Sequence, residues 1–247
     1  HQVVRRQRQM CIRDSLREEQ IPDYENTHTH KMISKPAGVA VAYLAWNFPL
    51  LNVGFKLGPA LAAGCSLIIK PSTLSPLSTY MLGEILHDID FPAGVVNILA
   101  GPSGEVATTL TTSKIPAVLT MIGSTETGKK VIADSTTSIK KLGMELGGNA
   151  PFIIFEDADF EIALNLAVVL SFWNSGQICV AANRIMVHKN IYDKFLKAFI
   201  KRTSALKLGF GIKENPEVFM GPVVSRSDRD RMFELVEDAV SKGAVSY

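Results

Sequence analysis

The sequence predicts an α/β protein built on a parallel sheet, and three observations carry that expectation. From residue 36 onward, short β-rich apolar runs alternate with segments of helical character. The helical segments are long enough for βαβ crossovers, which make neighbouring strands parallel and cover both faces of the sheet. The groups with chemical character, AWNFP, KPST and GSTETG, fall where strands end, and open α/β sheets bind ligands outside the carboxyl ends of their strands.

The elements follow in order. GVAVAYLAW (38–46) reads as a strand, PLLNVGFKLGPALAAG (49–64) as a helix closed by glycine, and SLIIK (66–70) as the next strand. SPLSTYMLGEILHDI (75–89) is helical, GVVNILAG (94–101) a strand, SGEVATTLTT (103–112) a helix and AVLTMIGS (117–124) a strand. TETGKKVIADST (125–136) is again helical, and KKLGMELGG (140–148) carries an apolar strand into two glycines. There the pattern restarts with PFIIF, the acidic EDAD, a long helix, a turn around Cys179, the strand RIMVH and a helix over 192–206. A boundary near Gly148 separates two α/β parts, residues 35–148 and 149–247.

With 247 residues, 47% hydrophobic and 20% charged, the chain has ordinary globular composition and can bury a sizeable core. Of the net charge of +2, residues 1–15 supply +3, four arginines (Arg5, Arg6, Arg8, Arg13) against Asp14, so the rest carries −1. No basic face is left for nucleic acid, and no apolar run approaches the ~20 residues of a membrane span. Three cysteines (Cys11, Cys65, Cys179) without a CxxC pair argue against a disulfide framework or a structural zinc site. A reducing, cytoplasmic setting and no metal are expected. Residues 1–15, HQVVRRQRQMCIRDS, are basic but lack the apolar middle of a secretory signal. They resemble a translated sequencing-adaptor string and read as a non-native segment. Residues 16–34 form a polar lead-in whose His28 and His30 read as solvated loop. The end, SKGAVSY, reads as a new strand cut short, so a chain truncated at both ends is expected.

Singly, the motifs are weak. A lone cysteine is more often a small buried hydrophobe than a nucleophile. Cys179, however, sits among Asn174, Ser175, Gly176 and Gln177 after a helical apolar run, and a turn fits an exposed thiol better than a core one. Gly123 and Ser124 end a strand and open a helix, so backbone donors and the helix dipole face an anion. The same geometry is a glycine turn with Ser124 as N-cap. Asn47, before Phe48 and Pro49, reads equally as a helix cap. Glu145 follows an apolar strand, where a carboxylate is a costly guest.

Together, AWNFP, GCSLIIKPST, GSTETG, MELGGNAP and NSGQICVAANR stand in the order and spacing of the aldehyde dehydrogenase superfamily, which the chain resembles over residues 35–247. ELGGNAPFIIF and GQICVAANR are similar to its succinate-semialdehyde dehydrogenase branch. The resemblance implies a partial Rossmann-like NAD(P)-binding domain (35–148) and the first part of an α/β catalytic domain (149–247). It makes Cys179 the nucleophile that forms a thiohemiacetal and then a thioester, with Asn47 and the Cys179 N–H as oxyanion donors. It makes Glu145 the general base of thioester hydrolysis, and because coenzyme-A-acylating relatives generally lack that glutamate, the product is a free acid. Gly123 and Ser124 then hold a pyrophosphate and Lys70 the adenosine ribose, while Trp46 is an adenine-side or structural wall. The family often carries Thr where Ile122 stands. Thr73 occupies the place of a glutamate that many NAD-preferring relatives carry, which favours NADP; alone, it reads as a cap for a helix starting at Leu74. The cofactor is NAD or NADP, the partner a small aldehyde, and the full-length assembly a homodimer or homotetramer, the fragment alone being inactive. Leu50, Leu51, Phe172 and Trp173 suggest an apolar substrate lining. Lys56 is the nearby candidate for a cation facing a substrate carboxylate, or equally a helix-surface lysine. A non-catalytic protein on the same fold, or an acylating semialdehyde dehydrogenase, are the alternatives.

Overall fold

The structure, a computed structural model, describes residues 19–25, 27–210 and 217–247. Residues 1–15, read from the sequence as non-native, and Cys11 with them, lie outside the described residues. Within the lead-in, β1 (Glu19–Ile21) pairs antiparallel with β2 (His30–Met32). His30 therefore belongs to a strand, whereas His28 stays in the connection, where Asp23 accepts from its amide at 2.7 Å.

The chain divides into two compact units, residues 1–147 and 148–247. In the first, β3 (Ala40–Tyr43), α1 (Pro49–Ala62), β4 (Leu67–Lys70), α2 (Leu77–Asp88) and β5 (Val96–Ile98) are followed by α3 (Ser103–Thr112), β6 (Val118–Gly123), α4 (Thr125–Asp134) and β7 (Lys141–Leu146). The five strands form one sheet of order β5-β4-β3-β6-β7, and every pairing is parallel. All four residues of the central strand β3 are buried, because alternate side chains enter different cores. Ala40 and Ala42 pack with Val53, Leu67 and Ile69, and Val41 and Tyr43 with Leu119, Met121 and Val131. The chain steps outward from β3 to β5, then returns to pair β6 with the other edge of β3. That reversal creates a crevice at the carboxyl ends of β3 and β6, where sheets of this kind take ligands.

Two local features set α4. Ser124 accepts the Thr127 N–H at 3.2 Å and so fixes its first turn. A Cβ on Gly128 would lie 2.6 Å from Leu146 Cδ2, so α4 rides close on β7 and a larger residue at 128 would oblige the Leu146 side chain to move.

The second unit pairs β8 (Pro151–Ile154) in parallel with β9 (Arg184–Val187), beside α5 (Phe160–Phe172) and α6 (Tyr192–Ser204). Asp159 caps α5 through the Ile162 N–H at 2.9 Å. Ile154, Leu164, Ala167 and Phe195 form its core, extended by Phe195 stacked on Phe199 at 6.0 Å. A further helix, α7 (Arg226–Ser241), capped by Ser225, has no counterpart in the sequence reading. The strand expected at the end of the chain is not formed, and residues 244–247 are irregular. An extended segment is stable only on a partner ladder, and no described strand pairs with this one. No described helix is long and apolar enough to cross a membrane.

Candidate active site

A cavity of about 280 Å³ opens at the carboxyl ends of β3, β4 and β6. Tyr43, Leu44, Lys70, Pro71, Ser72, Met121 and Ile122 come from the strand ends, while α3 and α4 wall it on either side. The α3 wall, Gly104, Ala107, Thr108 and Thr111, was missed in the sequence. Its signal was present as small residues at i, i+3, i+4 and i+7. Tyr43 fastens α3 to the sheet: its hydroxyl donates to Ala107 O at 3.2 Å and lies 2.8 Å from Thr111 Oγ1. Burial pushes the Tyr43 hydroxyl above the usual tyrosine range, against a smaller opposing effect of the Thr111 hydrogen bond.

Lys70, the last residue of β4, is 5% exposed and donates from Nζ to Pro71 O at 3.0 Å. Desolvation holds its ammonium below the usual lysine range, and a buried ammonium at a cavity wall suits a hydroxyl or phosphate oxygen. Gly123 ends β6, and the Ser124 hydroxyl is used as the cap of α4, with Thr127 on the cavity wall. Trp46 and Thr73 fall outside the lining, as do Gly123 and Ser124 themselves. The Trp46 carbonyl accepts from Ser75 Oγ at 2.9 Å, a structural anchor for the turn before α2. Thr73 is exposed in that turn, and α2 begins only at Leu77, so Thr73 does not cap it. Ser72, not Thr73, reaches the cavity.

Elsewhere in the first unit, Lys56 of α1 donates from Nζ to Glu145 Oε1 of β7. This corrects both sequence readings of Lys56. It is 8% exposed rather than on the helix surface, and its charge is matched by Glu145 rather than held for a substrate carboxylate. Glu145 is not a buried guest either, since its side chain is about half exposed, at 53%. Asn47 Oδ1 accepts from the Phe48 N–H at 3.1 Å and from Asn52 Nδ2 at 3.3 Å. Asn47 is not the cap of α1: Phe48 holds that position without a side-chain bond, and Pro49 removes one orphan donor.

Cys179 belongs to the second unit, on the turn after α5, and is exposed, in contrast to buried Cys65. Asn174 (φ 51°), Ser175 (φ 59°) and Gly176 (φ 72°) run consecutively in the left-handed region. A Cβ at Gly176 would meet Ser171 O at 2.9 Å, so glycine is required there. The two non-glycine residues are strained by on the order of 1 kcal/mol each, and side-chain bonds hold them. Ser175 Oγ donates to Gly221 O at 2.7 Å, Val224 N–H to Gln177 Oε1 at 2.8 Å, and Gln177 Nε2 to Asn174 O at 2.9 Å. Among the described residues, the Cys179 N–H makes no hydrogen bond within the protein. Phe172 packs toward Phe199, 6.2 Å between centroids, while Leu50, Leu51 and Trp173 are exposed. No described group of three His, Cys, Asp or Glu side chains could hold a metal ion.

A parallel sheet with a cavity at its carboxyl edge, followed by a second unit that presents a cysteine on a turn, defines a two-part α/β class of protein. Within it the chain belongs to the aldehyde dehydrogenase family, whose model matches residues 3–246. It is 41% identical over 213 residues to the mitochondrial succinate-semialdehyde dehydrogenase of Oryza sativa subsp. japonica, which covers 86% of this chain and 40% of that protein. Glutarate-semialdehyde dehydrogenase of Pseudomonas putida is 40% identical over 224 residues, 91% of this chain and 46% of that protein. Among solved structures, betaine aldehyde dehydrogenase from Staphylococcus aureus in complex with NAD+ superposes with a TM-score of 0.90 at 35% identity, over 96% of this chain and 46% of that one. The chain spans less than half the length of these relatives.

Proposed function

We propose that a protein carrying this chain oxidises an aldehyde to a carboxylic acid with NAD+ or NADP+, through a covalent intermediate on Cys179. The Cys179 thiolate attacks the carbonyl carbon, forming a C–S bond, and the carbonyl oxygen takes the electron pair. The Cys179 N–H and Asn47 Nδ2 donate to that oxygen. Donors set in place beforehand need no reorganisation as charge develops. Bound NAD(P)+ supplies the oxidant, accepting the hydride that leaves the thiohemiacetal carbon. Glu145 then takes a proton from the water that attacks the thioester carbon, and the C–S bond breaks to return the thiolate. Lys56 holds Glu145 Oε1, which leaves Oε2 as the proton acceptor. Overall, one aldehyde, one NAD(P)+ and one water give one carboxylate, one NAD(P)H and two protons.

The observation that carries the reading is the exposed Cys179 on its turn, whose backbone N–H makes no hydrogen bond among the described residues, a nucleophile with an oxyanion donor attached. The cavity suits the adenosine part of the cofactor: small and apolar helix walls, the buried Lys70 ammonium, and the first turn of α4 as an anion site. Relatives named for succinate and glutarate semialdehydes favour a semialdehyde substrate.

The test is aldehyde-dependent appearance of NAD(P)H absorbance in a family-length protein that includes this chain, with a panel containing both semialdehydes. Activity is expected, and Cys179→Ala is expected to abolish it. Undiminished activity in that variant, or none with any aldehyde in a protein that binds cofactor, overturns the reading.

A further inference from the structure

Most buried polar side chains of the first unit have an evident use. Lys56 pairs with Glu145, Lys70 borders the cavity, Thr111 bonds Tyr43, and Ser135 closes the end of α4 on Ile132 O. Asn52 does not fall into these groups. It is 5% exposed on α1, next to Val53 of the core, at a place where an apolar side chain would pack without the cost of burying an amide.

Its hydrogen bonds show what the amide does there. Asn52 Nδ2 donates to Ala45 O at 3.1 Å and to Asn47 Oδ1 at 3.3 Å. The chemistry of the partners fixes which end of each amide is which. A backbone carbonyl only accepts, so the Asn52 atom facing Ala45 O is the nitrogen. A backbone N–H only donates, so the Asn47 atom 3.1 Å from the Phe48 nitrogen is the oxygen. Two donors therefore hold the oxygen of Asn47, and its nitrogen lies at the opposite end of the same planar group.

We propose that Asn52 is a positioning residue that holds the Asn47 amide in the orientation that turns Nδ2, rather than Oδ1, toward the substrate carbonyl oxygen. The inference rests on the oxyanion role proposed for Asn47. Without Asn52, one of the two donors that hold Asn47 Oδ1 is gone, and with it part of what opposes a half-turn of the amide. That half-turn replaces a donor by an acceptor opposite developing negative charge, which is worse than removing the donor. Asn52 also reaches the backbone of the AWN segment through Ala45, so it fixes the side chain and the chain that carries it together.

The experiment is a double-mutant cycle on single-turnover acylation, read as the rate of the first burst of NAD(P)H in a family-length protein that includes this chain. Asn52→Leu removes the donor, and Asn52→Asp keeps the shape but presents oxygen to Asn47 Oδ1. Both are made alone and with Asn47→Ala, and thermal unfolding and cofactor binding are followed in each. Removal of one oxyanion donor costs about 10²- to 10³-fold in rate, so Asn47→Ala is expected in that range and each Asn52 variant at roughly tenfold or more, with cofactor binding unchanged. In the Asn47→Ala background the Asn52 substitutions are expected to have no further effect. If Asn52→Leu folds poorly, the Asn52→Asp arm decides. A full-rate burst in the Asn52 variants, or the same fractional loss in both backgrounds, overturns the proposal, the second result meaning a structural role only. A full-rate burst in Asn47→Ala overturns instead the oxyanion reading on which it rests.

Discussion

Lys70 and Glu145 hold their places through a strand ladder, and Cys179 holds its place through a turn. Tyr43 opposes Lys70 and Ile122 opposes Glu145 in the parallel register, so each is set by hydrogen bonds shared along a whole strand. No ladder reaches Cys179. Its position follows from three consecutive left-handed residues, one glycine and a few side-chain bonds to residues 221–224. A ladder distributes the constraint, so a nearby side chain can change while the backbone stays put. A strained turn concentrates it, so single atoms decide the outcome.

The largest effect expected from this contrast is at Glu145. Glu145→Gln should leave strand and fold intact while slowing steady turnover about 10²- to 10⁴-fold, the usual worth of a general base. A burst of about one NAD(P)H per site should survive, because hydride transfer precedes the step that needs the base. A correctly folded, cofactor-bound variant without a burst would give Glu145 another role.

Gly176 tests the turn. Gly176→Ala adds a Cβ at φ 72° against Ser171 O, 2.9 Å away, and should cost at least about 1–2 kcal/mol and change the rate of Cys179 alkylation by iodoacetamide severalfold. Gly147→Ala, whose Cβ meets nothing within 4 Å, should be near neutral in both measurements. Equal behaviour of the two variants would break the comparison. Thr73 lies just outside the cavity, next to Ser72 of its lining; a glutamate reaches farther than a threonine, so Thr73→Glu should shift the ratio of kcat/KM for NAD over NADP toward NAD. An NADP 2′-phosphate brings about −1.5 to −2 charges that a carboxylate would repel. The unmutated protein should accept NADP at least as readily as NAD, and a strong NAD preference would show that a residue other than Thr73 sets the choice. The smallest effect is expected from Ser175→Ala, which removes the bond to Gly221 O and should cost about 1 kcal/mol, seen as a small drop in Tm.

The sheet was legible because each apolar run and each intervening helix announce themselves by period, and the parallel order follows from their alternation. The cysteine turn was legible because four small or polar residues interrupt two apolar runs. What escaped the sequence are facts about direction and depth. An asparagine in PLLNVGF carries no mark of burial, so Asn52 was passed over. The sequence leaves Lys56 as either a cation for a substrate carboxylate or a surface lysine, because nothing local announces a partner 89 residues away. The alternative reading of Thr73 as a cap rests on Leu74 following it, yet the turn continues to Pro76 before α2 begins. The helix α7 had a signal, Ser225 with Asp228 three residues on and apolar Met232, Val236 and Val240 at helical spacing. With every side chain of α7 left unburied among the described residues, its polar surface outweighed that stripe.

The close seat of Gly128 on Leu146 has a genetic consequence. A side chain at this one position would press on Leu146, between the helix whose first turn borders the cavity and the strand whose neighbouring residue is Glu145. With the proposed roles, an allele that enlarges Gly128 would be pleiotropic, weakening cofactor affinity and acid release together. Libraries built to alter coenzyme preference should therefore hold this codon fixed, or they will be populated by clones whose apparent change of cofactor is a failure of hydrolysis.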